Sequence, residues 1–401
     1  MKSHDLMRSL QVDNGSKIVL AVADGLGGLP GLPHGRTELE AAQTPTLDRL
    51  AREGICGLQV PVAPGITPGS GPGHLGLFGY DPLEFVVGRG VLSTLGIGFD
   101  LRPEDVTARG NFCTLNGDGR VTDRRAGRIS SEEGSRLVDK LREIQLPNVE
   151  VFVEPIKEYR FALILRGQNL GATVAGTDPE QTGVKPEEPR AQGAHSRRTA
   201  ELASRFIRAA EERLRGEAQG NGVLLRGFSS LPSWPRMDDI FGLRSRALAS
   251  YPMYRGLAKL VGMEVPMDLA SPGDEIAALR NTWKETDFFF LHFKSSDSAG
   301  EDGSFGEKMA SLEAFDHHIS EVLEMKPDVL MVTGDHSTPA LMGSHSFHPV
   351  PVVLAAKTCR PDLVEHFGER ACLAGGLGQL PAHQLMPLAM AHAGRLRKFG
   401  A

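Results

Sequence analysis

The sequence has few cysteines, no long apolar run and no excess of basic charge. Its four cysteines, Cys56, Cys113, Cys359 and Cys372, are far apart and form no CxxC pair. This spacing argues against a disulfide framework or a zinc site and predicts free thiols in a reducing compartment. No stretch reaches the roughly 20 apolar residues of a membrane span, and residues 1–16 lack the apolar core of a signal peptide. We therefore expect a cytoplasmic protein without a membrane partner.

The charge balance excludes another class of partner. The chain carries 44 Lys and Arg against 50 Asp and Glu, a formal net charge of −6. Broad binding to nucleic acid usually needs a basic face, so we expect no nucleic-acid partner. A small anionic substrate is compatible with this balance if basic residues are concentrated locally. The length of 401 residues suffices for one large or two ordinary domains.

Short apolar runs that end in polar residues predict a buried parallel sheet. They are residues 17–25, 287–297, 328–336 and 348–356. Predicted helices at 44–54 and 304–326 separate them; the first has Thr44 as its N-cap and a proline at its first position. Strands alternating with helices predict a doubly wound, mostly parallel α/β core, whose ligands bind at the carboxyl ends of the strands.

The middle of the chain has a different pattern. Residues 101–236 contain Arg-rich turns, a Gly/Pro/Glu-rich stretch and a charged helix near 196–216. Shorter strand-like runs lie at 151–153, 160–166 and 222–228. We interpret this region as a smaller α/β domain inserted into a discontinuous core formed by residues 1–100 and 237–401.

Three predicted strands bring candidate metal ligands to one edge of the sheet. Asp335 and His336 directly follow one strand, and Asp24 ends another before the Gly-rich segment 25–31. Oxygen and nitrogen donors together suit Mn²⁺ or Zn²⁺. The alternative is a helix-capping aspartate beside a surface histidine.

A second set of candidate ligands follows the third strand. Asp297 and Glu301 lie four residues apart and share one face if the segment is helical. His345 and His348 precede a strand and offer imidazole donors. The alternative is a solvated acidic loop with polar residues at the entry to a strand.

Ser70 lies in a segment, 67–82, that is dense in glycine and proline. A serine at such a turn, activated by a metal, is the type of nucleophile that phosphoryl transfer needs. A two-metal site needs about six or seven ligands rich in carboxylate and imidazole. The candidates form two groups, the first Asp24, Ser70, Asp335 and His336, the second Asp297, Glu301 and His345.

The ordered motifs resemble a known family. They are AVADGLGG, PGSGPGHLGLFGYDP, GRG…LGIG, NF…TDRRAGR, HFKSSDSAGEDG, TGDHSTP and SHSFHPVP. In this order they resemble the cofactor-independent phosphoglycerate mutases of the archaeal type, within the alkaline phosphatase superfamily. The resemblance covers nearly the whole chain.

The resemblance implies a phosphatase-like α/β core with a mobile inserted domain. It implies interconversion of 3-phosphoglycerate and 2-phosphoglycerate through a phosphoserine on Ser70, with no requirement for 2,3-bisphosphoglycerate. It also implies two divalent metal ions, expected to be Mn²⁺, with Mg²⁺, Co²⁺ or Zn²⁺ as alternatives. One metal would be bound by the first group above, and the other by Asp297 and His345.

Two positions depart from the family pattern. Glu301 stands where the family usually has histidine; we expect it to keep the second metal with altered selectivity, because a carboxylate favours harder cations. Gly71 replaces a usual acidic residue after the nucleophile, whereas His74 remains as a candidate for substrate binding.

The Arg-rich segment of the insert supplies candidates for holding glycerate. Guanidinium groups bind carboxylates in bidentate fashion, and Asp123 is a candidate acid–base residue. Lys294 is a further candidate for neutralising phosphate. The arginines predicted to contact substrate are Arg109, Arg124, Arg125, Arg128 and Arg226. The alternative is a solvated basic turn or internal ion pairs.

Three other functions remain open on sequence alone. The same scaffold could carry a phosphomonoesterase or phosphonate hydrolase, although simple hydrolysis does not require an Arg-rich insert. A phosphopentomutase is disfavoured by the motif set of the insert. A non-catalytic metal-binding relative is motivated by Glu301 and Gly71.

Overall fold

A computed structural model of the chain describes residues 2–31 and 35–400. Within these ranges the strands are β1 (Ile18–Ala23), β2 (Ile55–Val60), β3 (Asp105–Leu115), β4 (Val121–Asp123), β5 (Glu150–Lys157), β6 (Arg160–Arg166), β7 (Gly222–Ser230), β8 (Ser245–Leu248), β9 (Phe288–Phe293), β10 (Val329–Thr333), β11 (Val350–Ala356) and β12 (Gly378–Pro381).

Helices occur between most of these strands. The α-helices are α1 (Ser3–Leu10), α2 (Glu38–Ala41), α3 (Pro45–Glu53), α4 (Ser70–Leu77), α5 (Arg89–Gly96), α6 (Ser131–Arg142), α7 (Arg197–Arg213), α8 (Met237–Phe241), α9 (Pro252–Leu260), α10 (Pro272–Thr282), α11 (Ser295–Glu301), α12 (Phe305–Glu324), α13 (Glu369–Cys372) and α14 (Leu385–His392). No helix in the described part of the chain is long and apolar enough to cross a membrane.

The chain forms two compact units. The first, here called the core unit, comprises Met1–Val86 and Trp234–Ala401; the second comprises Val87–Ser233. Helix α5 therefore belongs to the second unit, although the sequence analysis placed the start of the insert after it, at residue 101.

The core unit is built on a seven-stranded sheet with the order β12-β2-β11-β10-β1-β9-β8. Its central strands β1, β9 and β10 are parallel and buried along their whole length. Such uninterrupted apolar runs are typical of strands covered on both faces. The predicted α/β class with a mostly parallel sheet is confirmed.

The direction of one strand differs from the prediction. Residues 348–356 were expected to add another parallel strand, but β11 pairs antiparallel with both β10 and β2. This reversal has a consequence for the site. The residues that precede β11 lie at the same edge of the sheet as the residues that follow β1, β9 and β10.

Helix α3 begins as predicted but is capped by a different residue. Thr44 is the N-cap and Pro45 the first helical residue, yet the Thr44 side chain makes no capping hydrogen bond. The free amides of the first turn donate instead to Asp316 of α12, from Thr46 N at 3.2 Å and from Leu47 N at 2.7 Å. A carboxylate at a helix N-terminus also interacts favourably with the helix dipole.

The second unit contains an antiparallel sheet. Strand β3 pairs with β4, β6 and β7, and β6 also pairs with β5. The predicted strands near 151, 160 and 222 correspond to β5, β6 and β7, and the charged helix to α7. An apolar cluster that includes Phe112, Phe161 and Phe206 forms the core of this unit.

A buried ion pair anchors the amino end of β9 in the core unit. Nη2 of Arg395 lies 3.3 Å from Oδ1 of Asp287, and the Arg395 side chain is fully buried. Arg395 also donates to the hydroxyl and the carbonyl of Ser16, both at 2.9 Å. Arg244 contacts the same carboxylate through two bonds of 2.8 Å, but its side chain is 62% exposed.

We expect Arg395→Met to lower the free energy of unfolding by about 2–4 kcal/mol, because a buried carboxylate and a buried carbonyl lose a charged donor. Arg244→Met is the matched control and should cost less than about 1 kcal/mol, since solvent screens its charge. Urea unfolding followed by circular dichroism measures both values. Equal losses in the two variants would contradict this interpretation.

Candidate metal and phosphoryl-transfer site

Polar side chains gather at the carboxyl edge of the core sheet. Asp24 follows β1, Asp297 lies in α11 just after β9, and Asp335 and His336 follow β10. His345 reaches the same edge because it precedes the antiparallel strand β11. The topology thus brings together the candidate ligands that the sequence distributes over more than 300 residues.

The first group consists of Asp24, Asp335 and His336, all fully buried. Nε2 of His336 lies 3.3 Å from Oδ1 of Asp24 and 3.1 Å from Oδ2 of Asp335. One ligand atom from each of the three residues lies within 4.8 Å of the others. This is a set of two oxygens and one nitrogen around a single point.

Ser70 completes this group. It is the first residue of α4, and its Oγ lies 3.2 Å from Nε2 of His336. Close packing of α4 against the loop after β10 fixes its position, since a Cβ at Gly73 would lie 2.3 Å from the carbonyl oxygen of Asp335. A bulkier residue there would therefore push the serine away from the ligands.

The second group adjoins the first. Nε2 of His345 lies 3.5 Å from Oδ1 of Asp297, and the rings of His336 and His345 stack with centroids 3.7 Å apart. Asp297 is buried, whereas the His345 side chain is 22% exposed. The second group is therefore closer to solvent than the first.

Glu301 lies at the rim of the second group. It is one helical turn beyond Asp297 in α11, and its Oε1 lies 3.7 Å from Nε2 of His345. Its side chain is 55% exposed. The carboxylate that stands in place of the usual histidine is thus within reach of the second group without being enclosed in it. His348 is held instead by the Ser346 hydroxyl, at 3.1 Å.

The charges of these groups are coupled through Lys294. Its Nζ lies 3.1 Å from Oδ2 of Asp24 and also pairs with Asp297, so it contacts one carboxylate of each group. Burial alone would raise the pKa of Asp24, but Lys294, with His292 and His336, holds that pKa well below its usual range. Both carboxylates correspondingly raise the pKa of Lys294 against the effect of its burial.

The geometry fits divalent cations. Oδ1 of Asp24 and Oδ2 of Asp335 are buried and accept no hydrogen bond from any residue that the structure describes. Buried carboxylate oxygens without a donor are costly unless a cation offsets their charge. Both oxygens face the same imidazole nitrogen, and this mixed donor set suits Mn²⁺ or Zn²⁺.

Two residues that support Asp24 were not predicted. The Tyr254 hydroxyl donates to Oδ2 of Asp24, and Nε2 of His292 lies 3.2 Å from the same oxygen. The two rings stack with centroids 3.7 Å apart. His292 is a lone polar residue inside the apolar run of β9, and this pattern could have predicted a role at the site. Tyr254 lies in α9, and nothing in its neighbouring sequence distinguishes it from a core tyrosine.

His74 does not lie where a substrate can reach it. Its ring is fully buried, and its Nδ1 donates to the Ser70 carbonyl at 2.8 Å and lies 3.1 Å from Oδ2 of Asp335. The predicted substrate contact therefore needs correction. The ring packs behind Asp335 and helps to orient that carboxylate.

The candidates of the second unit divide into paired and unpaired arginines. Arg124 makes a bidentate pair with Asp178 at 2.8 and 2.9 Å, and Nη1 of Arg226 lies 3.2 Å from the same carboxylate. Arg226 also pairs with Glu180. For these two arginines the structure shows the internal ion pairs that the sequence analysis left as an alternative.

Arg109 has no such partner among the residues that the structure describes. It lies directly opposite Arg226 in the β3–β7 register, a like-charge arrangement that is unfavourable without an anion. Burial, together with Arg89, Arg226 and Arg160, lowers its pKa to about 10. Its Nε is buried and donates to no acceptor in the described part of the chain.

The turn after β4 carries the remaining candidates. Asp123 accepts hydrogen bonds from the amides of Arg125 and Gly127, both at 2.7 Å, so it stabilises this turn. The acid–base role expected for Asp123 stays a prediction. Arg125 and Arg128 are exposed, and their guanidinium groups have no partner among the residues described.

Comparisons with known proteins agree with this arrangement. A family model described as 2,3-bisphosphoglycerate-independent phosphoglycerate mutase matches residues 51–219. A relative from Thermus thermophilus is 50% identical over 402 residues, covering 99% of each chain, and one from Aquifex aeolicus is 46% identical over 407 residues, covering 99% of this chain and 100% of its own. Both are described as probable 2,3-bisphosphoglycerate-independent phosphoglycerate mutases.

Solved structures show the same fold. A protein from Pyrococcus horikoshii is 30% identical with a TM-score of 0.84, over 98% of this chain and 100% of its own. The cofactor-independent phosphoglycerate mutase from Thermoplasma acidophilum is 29% identical with a TM-score of 0.70, over 94% of this chain and 100% of its own. On these grounds the chain belongs to the family of 2,3-bisphosphoglycerate-independent phosphoglycerate mutases.

Proposed function

We propose that this protein interconverts 3-phosphoglycerate and 2-phosphoglycerate through a phosphoserine on Ser70. The observation that carries the proposal is the position of the Ser70 hydroxyl, 3.2 Å from Nε2 of His336 and beside two buried carboxylates. The family of the chain supports the choice of substrate. We expect the reaction to occur in the cytoplasm without 2,3-bisphosphoglycerate.

The reaction divides into two transfers at Ser70. In the first, Oγ gives up its proton and attacks phosphorus, the bond from phosphorus to the substrate oxygen breaks, and that oxygen takes up a proton to give free glycerate. In the second, the other hydroxyl of glycerate loses its proton and attacks phosphorus, the bond to Oγ breaks, and Oγ takes up a proton again. Ser70 is half-buried at the start of a helix, so its Oγ is open to substrate while its backbone is fixed.

Two divalent cations, which we expect to be Mn²⁺, would stabilise the charge that develops on the phosphoryl group and lower the pKa of the Ser70 hydroxyl. Asp24, Asp335 and His336 with Ser70 would hold one cation. Asp297 and His345, with Glu301 at the rim, would hold the other. Lys294 contacts both sets of carboxylates and is available to neutralise a phosphate oxygen.

Free glycerate must stay bound between the two transfers, because water would otherwise accept the phosphoryl group. We assign this retention to the arginines of the second unit. Arg109 is the strongest candidate, since it is partly buried and has no acidic partner in the described ranges. A hydrolase would not need such a site.

We expect the wild-type enzyme with Mn²⁺ to convert 3-phosphoglycerate to 2-phosphoglycerate without added 2,3-bisphosphoglycerate, and Ser70→Ala to lower kcat by at least about 10³-fold. Phosphorus NMR distinguishes the two esters and free phosphate. Ser320→Ala removes an exposed hydroxyl of α12 and serves as the control. Release of phosphate by the wild type without 2-phosphoglycerate would instead favour the hydrolase alternative.

Glu301→Ala should lower the affinity for the second cation by about 10-fold, since it removes one oxygen ligand at the rim, and should leave the first cation bound. Titration calorimetry with Mn²⁺ measures both sites. Asp302→Ala, at the next exposed position of the chain, is the matched control. Two unchanged affinities in Glu301→Ala would reject Glu301 as a ligand.

Arg109→Leu should lower kcat/KM for the mutase reaction by about 10- to 100-fold, the range expected for losing a charged hydrogen bond. The share of turnovers that release phosphate should rise, because glycerate escapes before the second transfer. Arg190→Leu, whose parent side chain is 72% exposed in the same unit, is the control. If Arg109→Leu gave the same ratio of 2-phosphoglycerate to free phosphate as the wild type, Arg109 would not be the residue that retains glycerate.

A further inference from the structure

We propose that Thr338 is a positioning residue that fixes His336 as a ligand of the first group only, and at the same time holds Asp297 of the second group. The inference rests on the metal site of the proposed function. Thr338 is fully buried two residues beyond His336, and it was not among the residues that the sequence analysis selected.

The two nitrogens of His336 face different neighbours. Nε2 faces the first group, at 3.1–3.3 Å from Asp335 and Asp24 and 3.2 Å from Ser70. Nδ1 lies 3.0 Å from Oγ1 of Thr338 and 4.0 Å from Oδ1 of Asp297. The distances alone therefore allow His336 to act as a ligand in either group.

The direction of the single Thr338 hydroxyl proton determines which nitrogen of His336 carries a proton. Oγ1 of Thr338 lies 2.6 Å from Oδ1 of Asp297, and a carboxylate that binds a metal can only accept a hydrogen bond. The hydroxyl proton must therefore point to Asp297. Oγ1 is left with lone pairs toward His336, so the proton in that contact has to come from Nδ1.

This assignment leaves Nε2 of His336 with a free lone pair. The lone pair faces the two buried carboxylate oxygens that accept no hydrogen bond from the described residues. Nδ1 carries a proton and cannot bind a cation. The second group then depends on Asp297 and His345, with Glu301 at the rim. Partners on the second nitrogen of a metal-binding histidine commonly set its tautomer and orientation.

The surroundings of Thr338 hold its hydroxyl in place. Its amide donates to Gly27 O at 3.0 Å, and its carbonyl accepts from Nζ of Lys308 at 2.8 Å. Lys308 is itself fully buried and donates to Gly27 O at 2.9 Å. A Cβ at Gly25 would lie 2.5 Å from Oγ1 of Thr338, so this glycine is needed for the close approach.

Thr338→Val keeps the shape of the side chain and removes the hydroxyl, and Thr338→Ser restores the hydroxyl. We expect Thr338→Val to weaken Mn²⁺ binding at both sites by about 10- to 100-fold, and Thr338→Ser to recover it to within about 3-fold of wild type. Thr333→Val is the matched control, because within the described residues the buried hydroxyl of Thr333 bonds only to the carbonyls of Gly334 and Pro351. Calorimetric titration with Mn²⁺ measures all four proteins.

Nitrogen-15 NMR of the metal-free wild type, with histidine labelled and His336 assigned from its loss in His336→Gln, tests the tautomer without any Thr338 variant. We expect the proton on Nδ1. A proton on Nε2, or unchanged Mn²⁺ affinities in a folded Thr338→Val, would overturn the inference. If the wild type makes no 2-phosphoglycerate while Thr338→Val still loses Mn²⁺ and Thr338→Ser regains it, the proposed function fails and this inference stands.

Discussion

Three carboxylates, Asp24, Asp297 and Asp335, are buried together at one edge of the core sheet, and much of the surrounding structure compensates for their charge. Within residues 2–31 and 35–400, Lys294 is the only lysine or arginine in contact with any of them. One ammonium group cannot balance three carboxylates in a poorly solvated place, where an unpaired charge is costly. The remaining contacts come from imidazoles, hydroxyls and the Gly25 amide, which orient the carboxylate oxygens. The site is therefore organised for positive charge that the polypeptide itself does not supply.

The topology explains how residues so distant in sequence reach this edge. Parallel strands β1, β9 and β10 bring their carboxyl ends side by side, and each is followed within two residues by an acidic or basic residue. Strand β11 runs the other way, so the histidine that precedes it arrives at the same edge. An additional parallel strand would have placed His345 at the opposite end of the sheet. The antiparallel insertion of β11 is thus what gives the second group its imidazole.

Sequence reasoning was effective where a residue's role is set by its position at the end of a strand. Asp24, Asp335 and Asp297 could be grouped because apolar runs predict buried strands, and the carboxyl ends of parallel strands share an edge.

Sequence reasoning failed where the role of a residue depends on side-chain packing between elements far apart in the chain. Tyr254 reaches Asp24 from α9, and nothing in its local sequence distinguishes it from a core tyrosine. His74 appeared accessible in a Gly-rich segment, whereas the helix that begins at Ser70 turns its ring into the core. The direction of β11 was missed because an apolar run carries no information on strand polarity.

The two ligand groups differ in their access to solvent, and this difference assigns them different physical roles. The carboxylates and the imidazole of the first group are fully buried, so the positions of their atoms are set by packing and by the hydrogen bonds of Tyr254, His74 and Thr338. The second ends in His345 and Glu301, whose side chains are 22% and 55% exposed, so solvent reaches this group. We expect a substitution at the rim to affect the second group more than the first, because Glu301 lies beside His345 of the second group. The exposed side chain of Glu301 is therefore compatible with the packing that positions Asp24, Asp335 and His336.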